Sequence, residues 1–189
     1  MIFTAYNFES LFVSLPLAYK ANPFLSLPLD RSRAYLKDSK EKDKKMILNI
    51  KKLNENAVIP TYGTEFSAGA DLYNLDTSVV IAPHSTTLIH TGIAIEIPEG
   101  YCGLIFARSG LATKRGLAPA NKVGVIDADY RGEVMVALHN HSDSPAEVSA
   151  FERVAQLAIV PFLKADFEVV DELSNTVRGE GGFGSTGTK

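Results

Sequence analysis

Short apolar runs alternate with turn-forming residues along most of the chain after residue 46. The segment Ile47–Leu53 alternates apolar and polar positions, as expected for the first strand of a globular domain. Runs rich in Val, Ile and Thr then recur between Gly, Pro, Asn and Asp residues. The further strands predicted in this way are Val79–Ala82, Thr86–Ile97, Gly103–Ala107, Val123–Asp127, Glu133–His139 and Val154–Phe162. This spacing predicts an all-β sandwich or closed barrel.

One segment has a helical pattern. Ser109–Arg115 has Ser109 in a position suited to an N-cap, and Gly116 follows as a helix stop. We therefore expect a single short helix.

The two ends of the chain differ in composition from its centre. Residues 1–45 are first apolar and aromatic and then rich in Lys, Arg, Asp, Glu and Ser, which predicts a disordered N-terminal extension. Met46 is a candidate initiator, and the alternative is a targeting or partner-binding extension. Residues 46–172 form the predicted β domain. Residues 173–189 form a glycine-rich arm with too little apolar surface to order itself without a partner.

Bulk composition narrows the class of protein. A chain of 189 residues suits one medium domain with an appendage. The net charge of −3 provides no basic surface for nucleic acid, and no apolar run reaches the roughly 18 residues of a membrane span. Cys102 is the only cysteine, so no internal disulfide forms and a reducing compartment is expected. We expect a soluble cytoplasmic protein, or a nuclear or organellar one if the extension is a targeting segment.

The C-terminal arm contains groups that suit a nucleotide. Glycines let backbone N–H groups approach phosphate oxygens, and Arg178, Ser185 and Thr186 add further donors. Phe183, an aromatic residue among glycines, can stack on a base. A flexible Gly/Ser tail is the alternative interpretation of this composition.

Three acidic groups lie within seven residues, at Asp127, Asp129 and Glu133. Their position between strands predicts a turn at a sheet edge, where a carboxylate can act as a general base or hold a metal-bound water. A plain hairpin with Asp turn hydrogen bonds is the alternative. Because Asp127 directly follows an apolar run, we expect it to be partly buried.

Three other segments carry weaker signals. Arg108 and Ser109 lie where a strand meets the helix, which suits an anion, although a plain N-cap explains Ser109 equally well. Asp71 is compatible with a turn residue, and Arg153 and Gln156 with ordinary polar strand residues. A Ser-His-Asp hydrolase is disfavoured, because no Gly-x-Ser-x-Gly elbow is present and the histidines lie in polar stretches typical of a surface.

Five segments, taken in order, resemble the five motifs of the trimeric dUTPase family. They are Ser67–Leu72, Phe106–Ala112, Gly124–Glu133, Glu152–Leu157 and Arg178–Lys189. The resemblance implies a jelly-roll-like β-barrel homotrimer, in which each active site combines three chains and the C-terminal arm closes a neighbour's site. It also implies hydrolysis of dUTP to dUMP and pyrophosphate, which keeps uracil out of DNA and supplies dUMP for thymidylate synthesis.

The resemblance further implies roles for single residues. Asp127 matches the aspartate that activates the attacking water, and Tyr130 matches the tyrosine that packs on the deoxyribose. Main-chain groups from Asn121 to Gly124 match the uracil-reading hairpin. The residues matching phosphate-contacting positions are Arg108, Ser109, Gly110 and Gln156, and those matching positions of the arm are Arg178, Phe183, Gly184, Ser185 and Thr186.

The implied cofactor is Mg²⁺, held chiefly by the triphosphate, with Asp71 contacting it indirectly through water. One departure is Ala107, where the second motif often has proline. Two alternatives stay open. A dCTP deaminase shares the fold but uses a glutamate in its third motif, and a regulatory protein would use dUTP as a ligand without turnover.

Overall fold

The structure is a computed structural model that describes residues 46–182. The fold described below belongs to the compact unit that begins at Leu48. The N-terminal extension, residues 1–45, lies outside the described residues, so its disorder stays a prediction. Within the described residues no helix is long and apolar enough to cross a membrane.

Short antiparallel strands dominate the described part of the chain, and one short helix interrupts them. The strands are β1 (Asn49–Lys52), β2 (Thr61–Tyr62), β3 (Ala70–Tyr73), β4 (Val79–Ile81), β5 (Thr86–His90), β6 (Ile93–Glu96), β7 (Tyr101–Ala107), β8 (Leu117–Pro119), β9 (Gly124–Ile126), β10 (Met135–Asn140), β11 (Ala146–Val148) and β12 (Arg153–Pro161), with helix α1 (Ser109–Arg115) between β7 and β8. The all-β class with one short helix is confirmed.

The strands pair in four groups. The largest is a five-stranded sheet in the order β2-β3-β12-β7-β9, and a three-stranded sheet has the order β5-β10-β8. Two further pairs are β1-β6 and β4-β11. Alternate side chains on these strands turn inward and form one hydrophobic core, because successive residues of a strand face opposite sides. Its most deeply buried members include Leu72, Ile81, Ile89, Ile93, Leu117, Val136, Leu138, Val148 and Val154.

The single strand predicted over Thr86–Ile97 is wrong, because a bend at Thr91 and Gly92 separates β5 from β6. Gly92 has a φ of 69°, and an added Cβ would lie 2.9 Å from a methyl of Leu75 and 3.0 Å from the Cβ of Ala57. Only glycine combines this backbone conformation with so close an approach. The apolar pattern continues through the bend, so it conceals the break.

Four short strands, β2, β3, β8 and β11, were not predicted. Each has two to four residues, too few for a visible alternation. The interpretation of Asp71 as a turn residue is therefore wrong, since Asp71 lies within β3.

Helix α1 has the predicted limits. Gly116 ends it in the left-handed conformation, with a φ of 65°, and donates its N–H to the carbonyl of Leu111. The N-cap, however, is Arg108 and not Ser109. Arg108 continues the extended backbone of β7, and its carbonyl accepts the N–H groups of Leu111 and Ala112. Ser109 is thus the first helical residue.

Candidate active site

Strand β12 brings three separate segments of the sequence together. Its Gln156 lies opposite Asp71 of β3 on one side and opposite Phe106 of β7 on the other. Directly opposed residues of antiparallel strands point to the same face of a sheet. Arg108, two residues beyond Phe106, extends this face past the end of β7. The first, second and fourth motif-like segments therefore meet on one face of the five-stranded sheet.

A bulge in β12 adds Arg153 to this face. Arg153 pairs with Tyr73 and Ala155 with Leu72, so two steps along β12 match one step along β3. In a regular strand, a residue three positions from Gln156 would point to the opposite face. Because the bulge adds one residue, the side chain of Arg153 points to the same face as Gln156 and contacts Asp71.

Asp71 is the centre of a buried ion-pair cluster. Its side chain is 5% exposed. Its Oδ1 accepts from Nε of Arg108 at 3.2 Å and from Nε2 of Gln156 at 3.3 Å. Its Oδ2 accepts from Nη1 of Arg153 at 3.1 Å. Pairing with two guanidinium groups is what allows a carboxylate to remain buried.

This cluster contains one ion pair that the sequence did not indicate, that of Arg153. The sequence is compatible with Arg153 as an ordinary polar strand residue, and the structure adds its ion pair with the buried Asp71. A signal was available, because a buried strand aspartate requires a cation, but it depends on knowing that Asp71 is in a strand. Gly69 belongs to the same packing, since an added Cβ there would lie 3.1 Å from the Cβ of Gln156.

A pocket of about 270 Å³ collects the third motif-like segment. Gly124 packs tightly at its wall, where an added Cβ would lie 3.2 Å from the Cβ of Ile105. Residues of β5, β8 and β10 complete the wall. The sequence-predicted residues in its lining are Asn121, Gly124, Asp127 and Tyr130.

Asp127 lies at the turn predicted between β9 and β10. The N–H of Tyr130 donates to the carbonyl of Asp127 at 3.2 Å, and a guanidinium nitrogen of Arg131 donates to the carbonyls of Ala128 and Tyr130. The expected partial burial of Asp127 is wrong in this chain, since the residue is exposed. Ile126 is the last residue of β9 that faces the core, and the backbone leaves the core directly after it.

Glu133 lies at the rim of the same pocket. Burial favours a raised pKa for its carboxyl group, but hydrogen bonds from His90 and from the N–H of Gly92, together with the charge of His90, hold the pKa below its usual value. Glu133 is therefore an anion at neutral pH.

The histidines lie at the surface, as the sequence indicated. His84 and His90 have side chains that are 62% and 59% exposed, and each contacts one carboxylate. His141 contacts His139 edge-on, and partial desolvation with the nearby charges of His139 and Lys122 lowers its pKa. None of the histidines lines the pocket.

The predicted site residues thus form two groups within one chain. Arg108 and Gln156 belong to the Asp71 cluster, with Ser109 and Gly110 exposed beside it at the start of α1. The pocket contains none of these residues. Arg178 is exposed, and its Nε donates to the carbonyl of Gly181 at 2.7 Å. Phe183, Gly184, Ser185 and Thr186 lie outside the described residues.

Comparison with known proteins identifies the family. A family model described as dUTPase matches residues 55–187, which include the first four motif-like segments and the fifth up to Gly187. The chain belongs to the dUTPase family. This membership confirms the family and the enzyme class, dUTP diphosphatase, that the five motifs predicted.

Relatives of the dUTPase family cover the same part of the chain. The deoxyuridine 5'-triphosphate nucleotidohydrolase of Hydrogenobaculum sp. is 51% identical over 144 residues, 76% of this chain and 100% of the relative. The protein of the same name from Picosynechococcus sp. is 52% identical over 143 residues, again 76% of this chain and 100% of the relative. The β domain is therefore shared at nearly full length.

Solved dUTPase structures have the same fold. The dUTPase of Staphylococcus bacteriophage 80alpha with dUPNHPP gives a TM-score of 0.70 at 32% identity, covering 76% of this chain and 99% of that one. A mutant dUTPase from phage phi11 of S. aureus, described as coordinating a structural Mg(II) ion, gives 0.60 at 29% identity, covering 67% of this chain and 98% of that one.

Proposed function

We propose that the chain hydrolyses dUTP to dUMP and pyrophosphate, with Asp127 as the base that activates the attacking water. The observation that carries this proposal is one pocket lined both by Asn121 and Gly124 of the β8–β9 hairpin and by Asp127 and Tyr130 of the turn after β9. A nucleoside fits a pocket of this size, and an exposed carboxylate at its mouth can reach the phosphate that follows the sugar.

Asp127 is suited to act on water. Its exposed carboxylate is open to a water molecule. The guanidinium of Arg131 stabilises the turn that contains Asp127 by donating to two backbone carbonyls of that turn. In the proposed step a water oxygen forms a bond to the α-phosphorus and transfers a proton to Asp127. The bond to the bridging oxygen breaks in line, so pyrophosphate leaves.

The hairpin from Asn121 to Gly124 is the proposed reader of uracil. It is held by the N–H of Lys122, which donates to the carbonyl of Pro119, and by the N–H of Val123, which donates to the carbonyl of Asn121. Such fixed backbone groups discriminate uracil from cytosine by donor and acceptor positions. Tyr130 is proposed to pack on the deoxyribose and to exclude a 2'-hydroxyl.

The Asp71 cluster is the proposed phosphate side of the site. Its arginine Arg108 lies beside the exposed Ser109 and Gly110, and guanidinium groups bind phosphate oxygens in two-pronged fashion. Gln156 is proposed to add a donor. Arg178, with Phe183, Gly184, Ser185 and Thr186 of the arm, is proposed to close over the nucleotide.

Mg²⁺ is the proposed cofactor. Among the described residues no group of three or more His, Cys, Asp or Glu side chains is arranged to hold a metal ion. The donor set fits an ion carried chiefly by the triphosphate, because Mg²⁺ keeps several waters and needs few protein ligands. Asp71 retains one unused lone-pair position for a water of that ion. When bound, Mg²⁺ neutralises phosphate charge.

The proposed assembly is a homotrimer with exchanged C-terminal arms. Leu163, Phe167 and Val169 follow β12 at odd-numbered positions and are 98%, 96% and 98% exposed. Large apolar side chains exposed together in this way favour a partner surface. The pocket and the Asp71 cluster are separate groups within one chain. A second copy is therefore proposed to complete the active site by bringing the pocket of one chain to the cluster of another. The cytoplasm is the proposed location, where Cys102 stays a free thiol.

The test is pyrophosphate release from dUTP, dCTP, dTTP and UTP in parallel, with Mg²⁺. Full-length protein and a version starting at Met46 are compared. We expect rapid release from dUTP alone by both. Equal release from all four nucleotides would contradict the base and sugar assignments, and no release from any would favour the regulatory alternative.

A further inference from the structure

The ring of Tyr130 lies directly over the backbone of Gly132. A Cβ added at Gly132 would come within 2.4 Å of the tyrosine oxygen and 2.6 Å of Cζ, closer than any real contact of this kind. The φ of Gly132 lies outside the left-handed region, so space and not backbone conformation requires glycine here. The ring therefore folds back along its own chain and does not extend freely into solvent.

A hydrogen bond fixes the other end of the ring. The hydroxyl of Tyr130 donates to the backbone carbonyl of Glu133 at 2.9 Å. The orientation of the ring thus depends on where residue 133 holds its backbone.

The Glu133 carboxylate is held at both of its oxygens. Oε1 accepts the N–H of Gly92 at 2.8 Å, and Oε2 lies 2.9 Å from Nδ1 of His90. Gly92 lies at the β5–β6 bend, where its carbonyl also accepts the N–H of Leu53 at 2.7 Å. The next residue of the chain, Val134, donates its N–H to Ile93 at 2.9 Å. Residue 133 is therefore tied to a part of the core that cannot move easily.

We propose that Gly132 and Glu133 are positioning residues for Tyr130 and that they set the preference for deoxyribose over ribose. This inference rests on the proposed function, in which Tyr130 contacts the sugar. The ring of Tyr130 can exclude the 2'-hydroxyl of ribose only if the ring stays fixed, because a ring that moves aside would admit ribose as well as deoxyribose. Gly132 leaves the space in which the ring lies. Glu133 connects the ring to the bend at Gly92, because its carboxylate binds the N–H of Gly92 and its backbone carbonyl accepts the ring hydroxyl.

The test is the ratio of kcat/KM for dUTP to kcat/KM for UTP in variant trimers. We expect Glu133→Ala and Gly132→Ala to lower this ratio by about fivefold or more, chiefly by raising kcat/KM for UTP relative to dUTP. Glu133→Gln should retain most of the ratio, since its amide oxygen can still accept the N–H of Gly92. Gly63→Ala is the matched control, because an added Cβ there meets only Ser67 Oγ at 3.7 Å.

A purely structural role would lower both kcat/KM values in parallel and leave their ratio unchanged. An unchanged ratio in folded Glu133→Ala and Gly132→Ala would overturn the proposal. If Glu133→Ala does not fold, Gly132→Ala carries the same test, since it leaves the carboxylate contacts in place.

A second readout is independent of turnover. Protein labelled with 3-fluorotyrosine gives a ¹⁹F resonance for Tyr130, assigned by its loss in Tyr130→Phe. We expect this resonance to shift in Glu133→Ala and Gly132→Ala and to stay in place in Gly63→Ala. A resonance that does not move would overturn the positioning role even in a protein without dUTPase activity, whereas a wild type that does not release pyrophosphate from dUTP would overturn the proposed function alone.

Discussion

Asp71 is a buried residue that joins the fold to the proposed phosphate side of the site. Its carboxylate is buried, and two arginines and one glutamine saturate most of its lone pairs. The same arginine that neutralises it, Arg108, begins the segment proposed to meet phosphate. Under the proposed function, we therefore expect a change at Asp71 to affect folding and substrate binding together.

We predict that Asp71→Asn lowers the free energy of unfolding by about 1 to 3 kcal/mol, because two guanidinium groups lose their counter-charge while Arg153 stays partly solvated. Urea denaturation measures this change. Asp143→Asn is the matched control, since its side chain is 97% exposed and pairs with the exposed His84, and it should change stability by less than about 0.5 kcal/mol. Equal losses in both variants would contradict the central role of the Asp71 cluster.

Asp127 carries the prediction that concerns catalysis. Asp127→Asn keeps the shape of the side chain but removes its capacity to take a proton. We expect dUTP binding to persist while kcat falls by about a thousandfold or more, since only the water-activating step is lost. Single-turnover kinetics with calorimetric binding separate the two effects. Unchanged turnover would refute the assignment of the base.

Glu133 predicts a pH effect on stability. Its pKa is lower in the folded protein than in the unfolded chain, so the unfolded state binds the proton more readily. Its contribution to stability is therefore complete above the ordinary value of 4.5 and is lost as the pH falls through the lower folded value. Unfolding free energies of wild type and Glu133→Gln should converge as the pH falls below 4.5. A constant difference down to low pH would contradict the ionised state.

Two local irregularities in the strands determine where polar groups of the proposed site point. The bulge in β12 turns Arg153 toward Asp71, and the bend at Gly92 separates β5 from β6 while offering its N–H to Glu133. Both are departures from regular strand geometry, and both lie next to residues of the proposed site. Regular strands provide the core here, and their interruptions orient the polar groups.

Gly92→Ala tests the bend. The substitution imposes a left-handed φ on a residue with a Cβ and also crowds Leu75 and Ala57. We expect a loss of about 2 to 4 kcal/mol in the free energy of unfolding, measured in urea. Gly100→Ala separates the two causes, because Gly100 has a φ of 83° with nothing within 4 Å of an added Cβ, and it should cost about 1 to 2 kcal/mol. A smaller loss at Gly92 than at Gly100 would show that the bend yields easily.

The described part of the chain consists of a packed domain and an exposed segment that follows it. Between β12 and Gly182 the chain is exposed almost throughout, and Val177 contributes nothing to the core. We therefore expect the domain to fold without the arm, while the proposed closure of the site depends on it.

Truncation after Val177 should leave the domain folded and assembled, with kcat/KM for dUTP reduced by about a hundredfold or more through the loss of Arg178 and the residues beyond it. Circular dichroism, light scattering and pyrophosphate release measure the three properties. Failure of the truncated chain to assemble would mean that the last residues are structural. The full-length chain is the reference.

Local patterns in the sequence were sufficient for several features of this protein. Long alternating runs predicted β7, β10 and β12, and Ser109–Arg115 with Gly116 predicted the helix and its end. The five ordered segments identified the family without any structure, because the chemistry of nucleotide binding restricts which residues occupy those positions. Each of these signals lies within about a dozen neighbouring residues.

Tertiary structure alone decided which segments meet. Asp71 contacts partners 37, 82 and 85 residues away, and no local pattern encodes the pairing of β3 and β7 with β12. The exposure of Asp127, the strand position of Asp71 and the break at Gly92 also escaped the sequence. The physical reason is that side-chain direction in a sheet depends on register, and a bulge or bend of one residue reverses it.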